Sequence, residues 1–334
     1  MSNLVRCTAV ACLLAASMVD ASSKLDSFKQ YKMNKDLKTI LGGNNTGTEN
    51  PVIGIVSQTL EAEMKNDTRF NNYKTYIMKS YVTWVEAVGA RVIPLVNGEP
   101  ESVTLDKLSK VNAVVFPGGD GDYLEYGRFI FNKVKEINDN GTYLPLWGTC
   151  MGYENMVSYV ADEGWNVLGI FDLDSASLTL DFAMDPQSTK LYQWLGNEAY
   201  LFNDHNVTYN SHHWSMDPNK FNTDKGLASM FYLTAISHMP DGRPIVASIE
   251  SEKYPFFGTQ FHPEKPIAIF KEDQIISHSW TSIQLNMHFA EYFVYQARRN
   301  SNNYGSYSDV QKAIIQNFDL LVTDDWYDTV YVFK

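Results

Sequence analysis

Short apolar runs alternate with helical patterns along the first half of the chain. The runs contain almost no polar residues, which is typical of parallel strands that are buried on both faces. The predicted strands lie at 52–56, 91–96, 111–116 and 143–147, and the predicted helices lie at 76–88, 105–110, 130–138 and 154–160. Alternation at this spacing indicates βαβ units, and therefore an α/β fold with a mostly parallel central sheet flanked by helices.

The second half of the chain has a less regular pattern. Residues 166–216 are rich in aromatic residues and asparagine, and they predict short strands and irregular insertions. The stretches 243–250 and 256–261 indicate a pair of strands, and 282–298 indicates a long amphipathic helix. Alternating Tyr, Val and Phe residues in the tail, 326–334, predict an edge strand.

The N-terminus has the composition of a secretory signal peptide. Arg6 supplies a positive charge, residues 7–19 form an apolar stretch, and Val19-Asp20-Ala21 supplies a cleavage site. The alternative is a membrane anchor, but this stretch is too short to cross ~30 Å of hydrocarbon. No later apolar run is long enough to span a bilayer. We therefore predict a signal peptide at 1–21, a polar N-terminal arm at 22–50 and a single domain at 51–334.

Composition and charge narrow the class of partner. Hydrophobic residues make up 44% of the 334 residues and charged residues 20%, which is ordinary for a soluble globular protein with a sizeable core. The formal net charge of -12 argues against nucleic acid and against an anionic membrane surface as partners. The same charge means that an anionic substrate needs positive groups within its binding site.

Four N-x-[ST] sequons agree with a secretory route. They begin at Asn44, Asn66, Asn140 and Asn206. Each one alone is weak, because such triplets arise by chance, but four behind a predicted signal peptide indicate surface positions of a glycoprotein. We expect the protein to be secreted or delivered to the lumen of a lysosome or vacuole, and the sequence does not choose between these destinations.

The cysteine count predicts a single thiol with a chemical role in the mature protein. Cys7 and Cys12 lie in the predicted signal peptide, so the mature chain keeps only Cys150. A single cysteine cannot form an internal disulfide. Because an unpaired thiol in an oxidising compartment is a liability, we predict that Cys150 has a chemical role.

Cys150 lies in a motif that is typical of a nucleophile. The segment Gly148-Thr149-Cys150-Met151-Gly152 joins a predicted strand to a predicted helix, and G-x-S-x-G is its serine counterpart. The glycines permit a tight turn, and the helix N-terminus favours the thiolate. The alternative is a buried structural cysteine. The glycine pair, the preceding strand and the single mature cysteine favour the nucleophile.

A cysteine nucleophile needs a general base, and the sequence offers several histidines. His262 follows a predicted strand and precedes Pro263 and Glu264, and this glutamate can orient the imidazole as a third group. The competing histidines are His205, His212, His213, His238, His278 and His288. Spacing alone does not decide among them, although the last two lie in or near the final predicted helix, where surface and packing roles are common.

Backbone N–H groups near the thiol are candidates for an oxyanion hole. Pro117-Gly118-Gly119 follows a strand expected beside the Cys150 strand, so one of its glycines can supply a donor, and Met151 can supply the other. The alternative is an ordinary β-turn. The same turn is a poor phosphate loop, because it lacks the Lys-Ser/Thr of a P-loop and carries Asp120 and Asp122.

Seven segments of the chain together resemble a known family. They are PVIGIVSQ at 51–58, SYVTWVEAVGARVIPL at 80–95, VVFPGGDGDY at 114–123, LPLWGTCMGYE at 144–154, YNSHHWS at 209–215, FFGTQFHPEK at 256–265 and AEYFVYQARRN at 290–300. In this order they resemble the class I glutamine-amidotransferase-like hydrolases, and within them the γ-glutamyl (folylpolyglutamate) hydrolases. The Gly148–Gly152 turn around Cys150, here called the cysteine elbow, is specific for the superfamily when it occurs together with FPGG and QFHPEK. The segment WGTCMGYE and the N-x-H-x-W element point to the γ-glutamyl hydrolases.

The resemblance implies a flavodoxin-like fold and roles for individual residues. Cys150 matches the family's nucleophile, His262 its general base and Glu264 the third triad position. His212 matches a second functional histidine near the cleft. The matching oxyanion donors are Gly118 or Gly119 together with Met151.

Two further residues each have two alternative interpretations. Glu154 stands where amidotransferases commonly have glutamine, so its carboxylate either meets a substrate ammonium or is a helix N-terminal charge favoured by the dipole. Lys265 directly follows Glu264, and it is either a contact for an anionic substrate or an exposed lysine on a loop.

The implied reaction is hydrolysis of the γ-glutamyl amide bonds of folyl or antifolate poly-γ-glutamates, through a γ-glutamyl thioester and without a metal or cofactor. The partner is therefore a small-molecule substrate, and a homodimer is left open, as is the choice of endo or exo cleavage. One alternative is a glutaminase subunit that feeds ammonia to a synthase, which the signal peptide and sequons oppose. Another is a non-catalytic member used for binding or redox sensing, which His262-Pro263-Glu264 opposes.

Overall fold

Strands and helices alternate as far as residue 160, after which antiparallel strands take over. The computed structural model describes residues 48–322 and 329–334. The predicted signal peptide, nearly all of the predicted arm and Asn44 lie outside the described residues.

Within the described residues, the strands are β1 (Val52–Val56), β2 (Gln58–Thr59), β3 (Thr75–Met78), β4 (Arg91–Leu95), β5 (Ala113–Phe116), β6 (Leu146–Thr149), β7 (Gly169–Leu178), β8 (Asp181–Phe182), β9 (Thr208–Ser215), β10 (Tyr232–His238), β11 (Pro244–Glu250), β12 (Phe256–Thr259), β13 (Asp319–Leu321) and β14 (Val330–Phe333). The α-helices are α1 (Ala62–Asn66), α2 (Lys79–Glu86), α3 (Glu101–Leu108), α4 (Leu124–Asp139), α5 (Met151–Val160), α6 (Leu201–Asp204), α7 (Pro218–Thr223), α8 (Lys225–Met230), α9 (Lys265–Ala268), α10 (Trp280–Arg298) and α11 (Tyr307–Ala313).

An eight-stranded sheet forms the centre of the fold, in the order β4-β1-β5-β6-β12-β11-β10-β8. The first five strands are parallel, and the remaining three pair in antiparallel fashion. Successive side chains of β1 enter different cores: Ile53 packs in the same cluster as Trp84 of α2, and Val52 packs in the same cluster as Phe131 of α4. Helices therefore cover both faces, and the predicted α/β class with a mostly parallel sheet is confirmed.

Two segments far apart in the chain form strands that pair with each other, and neither was predicted correctly. The predicted helix 76–88 is divided into β3 and α2, because the buried residues of β3 pair with β14, as Met78 does with Val330. β14 is an interior strand of a four-stranded sheet ordered β13-β14-β3-β2, and not the predicted edge strand. Each strand needs the other as its partner, and no local pattern shows such a pairing.

The irregular segment 166–216 contains a two-stranded antiparallel ribbon, β7-β9, whose register is interrupted twice. Short 3₁₀ turns precede it and fill the connection between its strands. The ribbon supplies one wall of the cleft described below, since His212 and Trp214 of β9 line that cleft.

Candidate active site

Three loops meet at the carboxyl edge of the parallel strands. β5, β6 and β12 are adjacent and parallel, so the residues that follow them lie at the same edge of the sheet. These residues include Gly118 after β5, Cys150 after β6 and His262 after β12. The strand order thus brings together residues that are far apart in sequence.

Cys150 occupies a strained turn between β6 and α5. Its φ of 51° is positive, and no other non-glycine residue among those described has a positive φ. Its backbone N–H donates to the carbonyl of Thr259 at 2.8 Å, which ties the turn to β12. Neither Gly148 nor Gly152 has a positive φ, but a Cβ on Gly152 would lie 2.1 Å from the carbonyl oxygen of Phe116. The glycines therefore permit close packing of α5, whereas the turn itself is made by the cysteine.

Gly118 marks the point on which the candidate residues converge. A Cβ built on Gly118 would lie 2.9 Å from Cβ of Cys150, 3.0 Å from Cε1 of His262 and 2.8 Å from the hydroxyl of Tyr81. These separations leave no room for a side chain at this position. The loop backbone therefore lies directly against both the thiol-bearing residue and the imidazole.

The environment of Cys150 keeps its thiol neutral. Burial raises the pKa of Cys150 well above its usual value, and the carboxylates of Glu154 and Asp120 raise it further. A hydrogen bond from the backbone N–H of Met151, at the start of α5, lowers the pKa but is outweighed. The thiol itself donates to the carbonyl of Ser211 at 3.6 Å. The helix N-terminus acts in the predicted direction, yet the thiolate is not the resting form.

His262 and Glu264 form a buried hydrogen-bonded pair. Nδ1 of His262 lies 2.8 Å from Oε1 of Glu264, whose side chain is fully buried. Burial acts to raise the pKa of Glu264, but the charge of His262 and the hydrogen bond outweigh it, so the pKa lies below its usual value. An ionised carboxylate accepts a hydrogen bond from Nδ1–H, which leaves Nε2 as the basic nitrogen. The structure therefore brings together all three residues of the predicted triad.

The two glycines after β5 differ as oxyanion donors. The N–H of Gly118 already donates to the hydroxyl of Tyr81 at 2.8 Å. The N–H of Gly119, whose φ is 140°, makes no hydrogen bond with any residue that the structure describes. Of the two alternatives that the resemblance allowed, the geometry favours Gly119, with Met151 as the second donor.

Sequence reasoning missed polar residues that hold this loop and the imidazole. The hydroxyl of Tyr81 in α2 lies 3.3 Å from Nδ1 of His262. Gln58 donates to the carbonyl of Gly118 at 2.9 Å, and its side-chain oxygen accepts from the N–H of Gly121 at 3.0 Å. Gln58 could have been found from its position, because it follows the parallel strand β1 and so lies at the edge of the sheet where the site forms. Tyr81 lies inside an apolar helical pattern, and nothing in that pattern distinguishes it.

Glu154 is buried in α5 and lines the cleft together with Cys150. Its Oε1 accepts a hydrogen bond from Nε2 of Gln260 at 2.8 Å. Burial raises the pKa of Glu154 to about 8, so the carboxyl group is mostly protonated at neutral pH. A neutral carboxyl differs from both interpretations of the sequence, since each of them required a charged one.

The other histidines separate clearly into two groups. His212 and His213 line the same cleft as Cys150. Burial and the nearby charge of His262 lower the pKa of His212 to about 4, so its ring is neutral, whereas His213 is exposed and pairs with Asp172 at 2.7 Å. The remaining histidines are not part of the cleft lining; they are His205, His238, His278 and His288.

The cleft, of about 650 Å³, holds charges of both signs. Lys265 and Lys271 line it, and so do Asp120, Asp174 and Asp273. Lys265 lies at the start of α9 and is partly buried, so it is not the fully exposed loop lysine of the alternative interpretation. The cleft thus contains positive groups of the kind that an anionic substrate needs, together with nearby carboxyl groups.

Other predicted features lie on the surface. Asn66, Asn140 and Asn206 are exposed, as glycosylation requires.

Within residues 48–322 and 329–334, no group of three or more His, Cys, Asp or Glu side chains is arranged to hold a metal ion. No helix in the same ranges combines the length and the apolar character needed to cross a membrane.

Comparison with known proteins agrees with this architecture. Residues 70–275 match the family model described as glutamine amidotransferase class-I. Gamma-glutamyl hydrolase B of Dictyostelium discoideum is 30% identical over 310 residues, covering 90% of this chain and 86% of that protein. Gamma-glutamyl hydrolase of Mus musculus is 31% identical over 286 residues, covering 84% and 87% respectively. Gamma-glutamyl hydrolase 1 of Arabidopsis thaliana is 32% identical over 294 residues, covering 85% and 82%.

The parallel sheet, the cysteine elbow and the match to the family model define a class I glutamine amidotransferase fold. The chain belongs to this family and, within it, to the γ-glutamyl hydrolases, as its relatives of at least 30% identity over most of their length show. The resemblance predicted from sequence is therefore confirmed.

Proposed function

We propose that this chain hydrolyses γ-glutamyl amide bonds with Cys150 as the nucleophile, His262 as general base and acid, and Glu264 as the group that orients the imidazole. The observation that carries the proposal is the convergence of Cys150 and His262 on Gly118, with Glu264 bonded to Nδ1 of the same ring. Family membership supports the choice of bond, since the relatives carry the name gamma-glutamyl hydrolase.

The reaction begins with transfer of the thiol proton to Nε2 of His262, because burial keeps the thiol neutral until a base removes the proton. The thiolate attacks the γ-carbonyl carbon and forms a tetrahedral oxyanion. The imidazolium then protonates the leaving amine as the C–N bond breaks, which leaves a γ-glutamyl thioester on Cys150. A water molecule deprotonated by His262 attacks the thioester and releases the γ-carboxylic acid and the thiol.

The surrounding groups have supporting roles in this proposal. The N–H groups of Gly119 and Met151 stabilise the oxyanion. The neutral His212 and the protonated Glu154 provide hydrogen bonds to the substrate inside the cleft, since neither carries a charge near pH 6 to 7. Lys265 contacts a carboxylate of the leaving portion.

The proposed substrates are folyl or antifolate poly-γ-glutamates. A glutaminase is the second candidate, because the bond cut in glutamine is also a γ-amide. We expect kcat/KM for folate di- and pentaglutamate to exceed that for glutamine. We also expect kcat/KM for these folates to fall as salt is added, because salt weakens the attraction between Lys265 and a substrate carboxylate; the screening length is ~8 Å near physiological ionic strength. Steady-state kinetics at low and high salt, in the wild type and in Lys265→Ala, measure both effects. Faster glutamine hydrolysis would overturn the substrate, whereas an unchanged salt slope in the variant would overturn only the role of the lysine.

We also propose that the protein passes through the secretory pathway as a glycoprotein. The signal-peptide pattern and the exposed positions of Asn66, Asn140 and Asn206 support this route. The mature chain is expected to begin near Ser22 and to carry glycans on some of the four sequons. Mass spectrometry of the protein from its native source measures both features. An intact Met1 with unmodified sequons would instead favour a cytosolic protein and the glutaminase alternative.

A further inference from the structure

The peptide group between Pro117 and Gly118 is held at both ends by tyrosines. Its carbonyl accepts a hydrogen bond from the hydroxyl of Tyr123 at 2.6 Å, and its N–H donates to the hydroxyl of Tyr81 at 2.8 Å. Both tyrosine side chains are buried, so water does not compete for these bonds. The loop after β5 therefore enters its next peptide group from a fixed direction.

The next peptide group, between Gly118 and Gly119, is bonded at one end only. Its carbonyl accepts from Nε2 of Gln58 at 2.9 Å, and the side chain of Gln58 is fully buried. Its N–H has no hydrogen-bond partner in the part of the chain that the structure describes, and Gly119 lines the cleft. The carbonyl and the N–H of a trans peptide point in opposite directions, so the bond to Gln58 directs this N–H away from the glutamine.

Gly121 fixes which end of the Gln58 side chain faces the peptide group. A side-chain amide has one accepting end and one donating end. The N–H of Gly121 donates to Oε1 of Gln58 at 3.0 Å, so the oxygen end is occupied and the NH₂ end faces Gly118. A reversed peptide, with the N–H of Gly119 toward Gln58, would place two donors against each other. The amide therefore accepts one orientation of this peptide and opposes the other.

We propose that Gln58 is a positioning residue of the oxyanion hole: by holding the carbonyl of Gly118, it keeps the N–H of Gly119 turned into the cleft beside Cys150. This inference rests on the proposed hydrolase function, which supplies the oxyanion. Gln58 is not part of the cleft lining, so it acts through the loop and not by contact with the substrate. A reversed peptide would present a carbonyl oxygen to the oxyanion, and the two oxygen atoms would repel each other.

Replacing Gln58 by methionine removes both hydrogen bonds and keeps the length of the side chain. We expect kcat to fall by roughly 10²–10³-fold, the loss typical of one oxyanion donor, with little change in KM. Gln316→Met is the matched control, because Gln316 is an exposed glutamine outside the cleft lining, and it should leave both constants unchanged. Steady-state kinetics with γ-glutamyl-glutamate measure them. A raised KM with a normal kcat would mean that Gln58 shapes substrate binding, and it would overturn the proposal.

A pair of ligands isolates the oxyanion from the rest of the substrate. N-acetyl-glutamate γ-semialdehyde is an aldehyde, and N-acetyl-glutamate is the corresponding acid. The sulfur of Cys150 adds to the aldehyde carbon, the carbonyl π electrons move to the oxygen, and the thiol proton passes to His262. We expect the preference for the aldehyde over the acid to fall ~tenfold or more in Gln58→Met, because the new oxyanion loses its donor. The affinity for N-acetyl-glutamate should stay the same, which shows that the cleft of the variant is intact.

The inhibition constants of the two ligands separate this inference from the proposed function. A preference for the aldehyde that is lost in Cys150→Ala but unchanged in Gln58→Met would overturn the role of Gln58 and leave the nucleophile in place. A preference that is absent from the wild type, or unaffected in Cys150→Ala, would overturn the nucleophile and this inference with it.

Gln58→Glu tests the polarity of the amide with a side chain of the same shape, even if methionine is not tolerated. A neutral carboxyl group donates to Gly118 through its O–H and accepts from Gly121, whereas a carboxylate only accepts and repels the carbonyl of Gly118. We expect the kcat of this variant, relative to the wild type, to be highest at low pH and to fall as the introduced carboxyl ionises, at a pKa that burial can raise to ~8–9. A ratio that stays constant from about pH 5 to about pH 9.5 would contradict the proposal.

Discussion

Replacing Cys150 by alanine is expected to abolish γ-glutamyl hydrolysis while leaving the fold intact. Loss of a nucleophile from a catalytic triad lowers kcat by roughly 10⁶-fold, which places this variant below detection in an ordinary assay. Alanine fits the elbow because it is smaller than cysteine and has the same Cβ. The positive φ of residue 150 strains both residues to a similar degree. Product formation from a folate pentaglutamate, followed by chromatography, measures the loss.

The control for Cys150→Ala is thermal unfolding of the variant. A midpoint close to that of the wild type would show that the lost activity is chemical. Activity above a trace in a folded Cys150→Ala protein would mean that another group attacks the γ-carbonyl. Retention of substrate binding, measured by titration with the same pentaglutamate, would place the defect in the bond-forming step.

Much of the fold and the position of the site could be predicted because the signals are local. The parallel strands appear in the sequence as uninterrupted apolar runs, since both of their faces are buried. The glycine-flanked Cys150 and the strand-terminal His262 each follow such a run. Parallel strands bring these ends to a common edge, but spacing alone left His262 undecided among the histidines, and it was the family resemblance that assigned it as the base.

The features that were missed depend on partners far away in the chain. β3 was predicted to be helical because Tyr76, Ile77 and Met78 are apolar, and only pairing with β14 makes them a strand. The hydroxyl of Tyr81, in helix α2, contacts the imidazole of His262, which follows β12. No local pattern reveals a contact between elements so far apart in the chain. The raised pKa of Glu154 likewise follows from burial beneath the cleft, a consequence of packing and not of sequence position.

The protonation state of Cys150, the proposed nucleophile, also depends on packing that the sequence pattern does not show. The sequence places Cys150 at a helix N-terminus, where the dipole and free N–H groups favour the thiolate. The structure adds burial and two nearby carboxyl groups, which outweigh that effect and raise the pKa. The thiol therefore depends on a base for its activation, which makes His262 more important than the sequence alone indicated.

Replacing His262 by asparagine is expected to lower kcat by at least ~10²–10⁴-fold, the range typical of a positioned general base, with little change in KM. The reason is specific to this site: the buried, neutral thiol gives its proton to His262 in the proposed mechanism, and the imidazolium that forms then protonates the leaving amine. Glu264→Gln should lower kcat less, because glutamine can still hold Nδ1 by a hydrogen bond but no longer stabilises a positive imidazolium. Single-turnover and steady-state kinetics with the same folate polyglutamate compare the two variants.

His238→Asn is the matched control for His262→Asn. His238 is an exposed histidine that pairs with Asp181 and lies outside the cleft lining, so its replacement should leave kcat and KM unchanged. A His262→Asn variant with near-normal kcat and a raised KM would assign His262 to binding and make His212 the next candidate base. His212 is poorly suited to that role, because a histidine whose pKa is about 4 holds a thiol proton only weakly. We therefore expect His212→Asn to reduce activity less than His262→Asn does, and the ratio of their kcat values measures which imidazole accepts the proton.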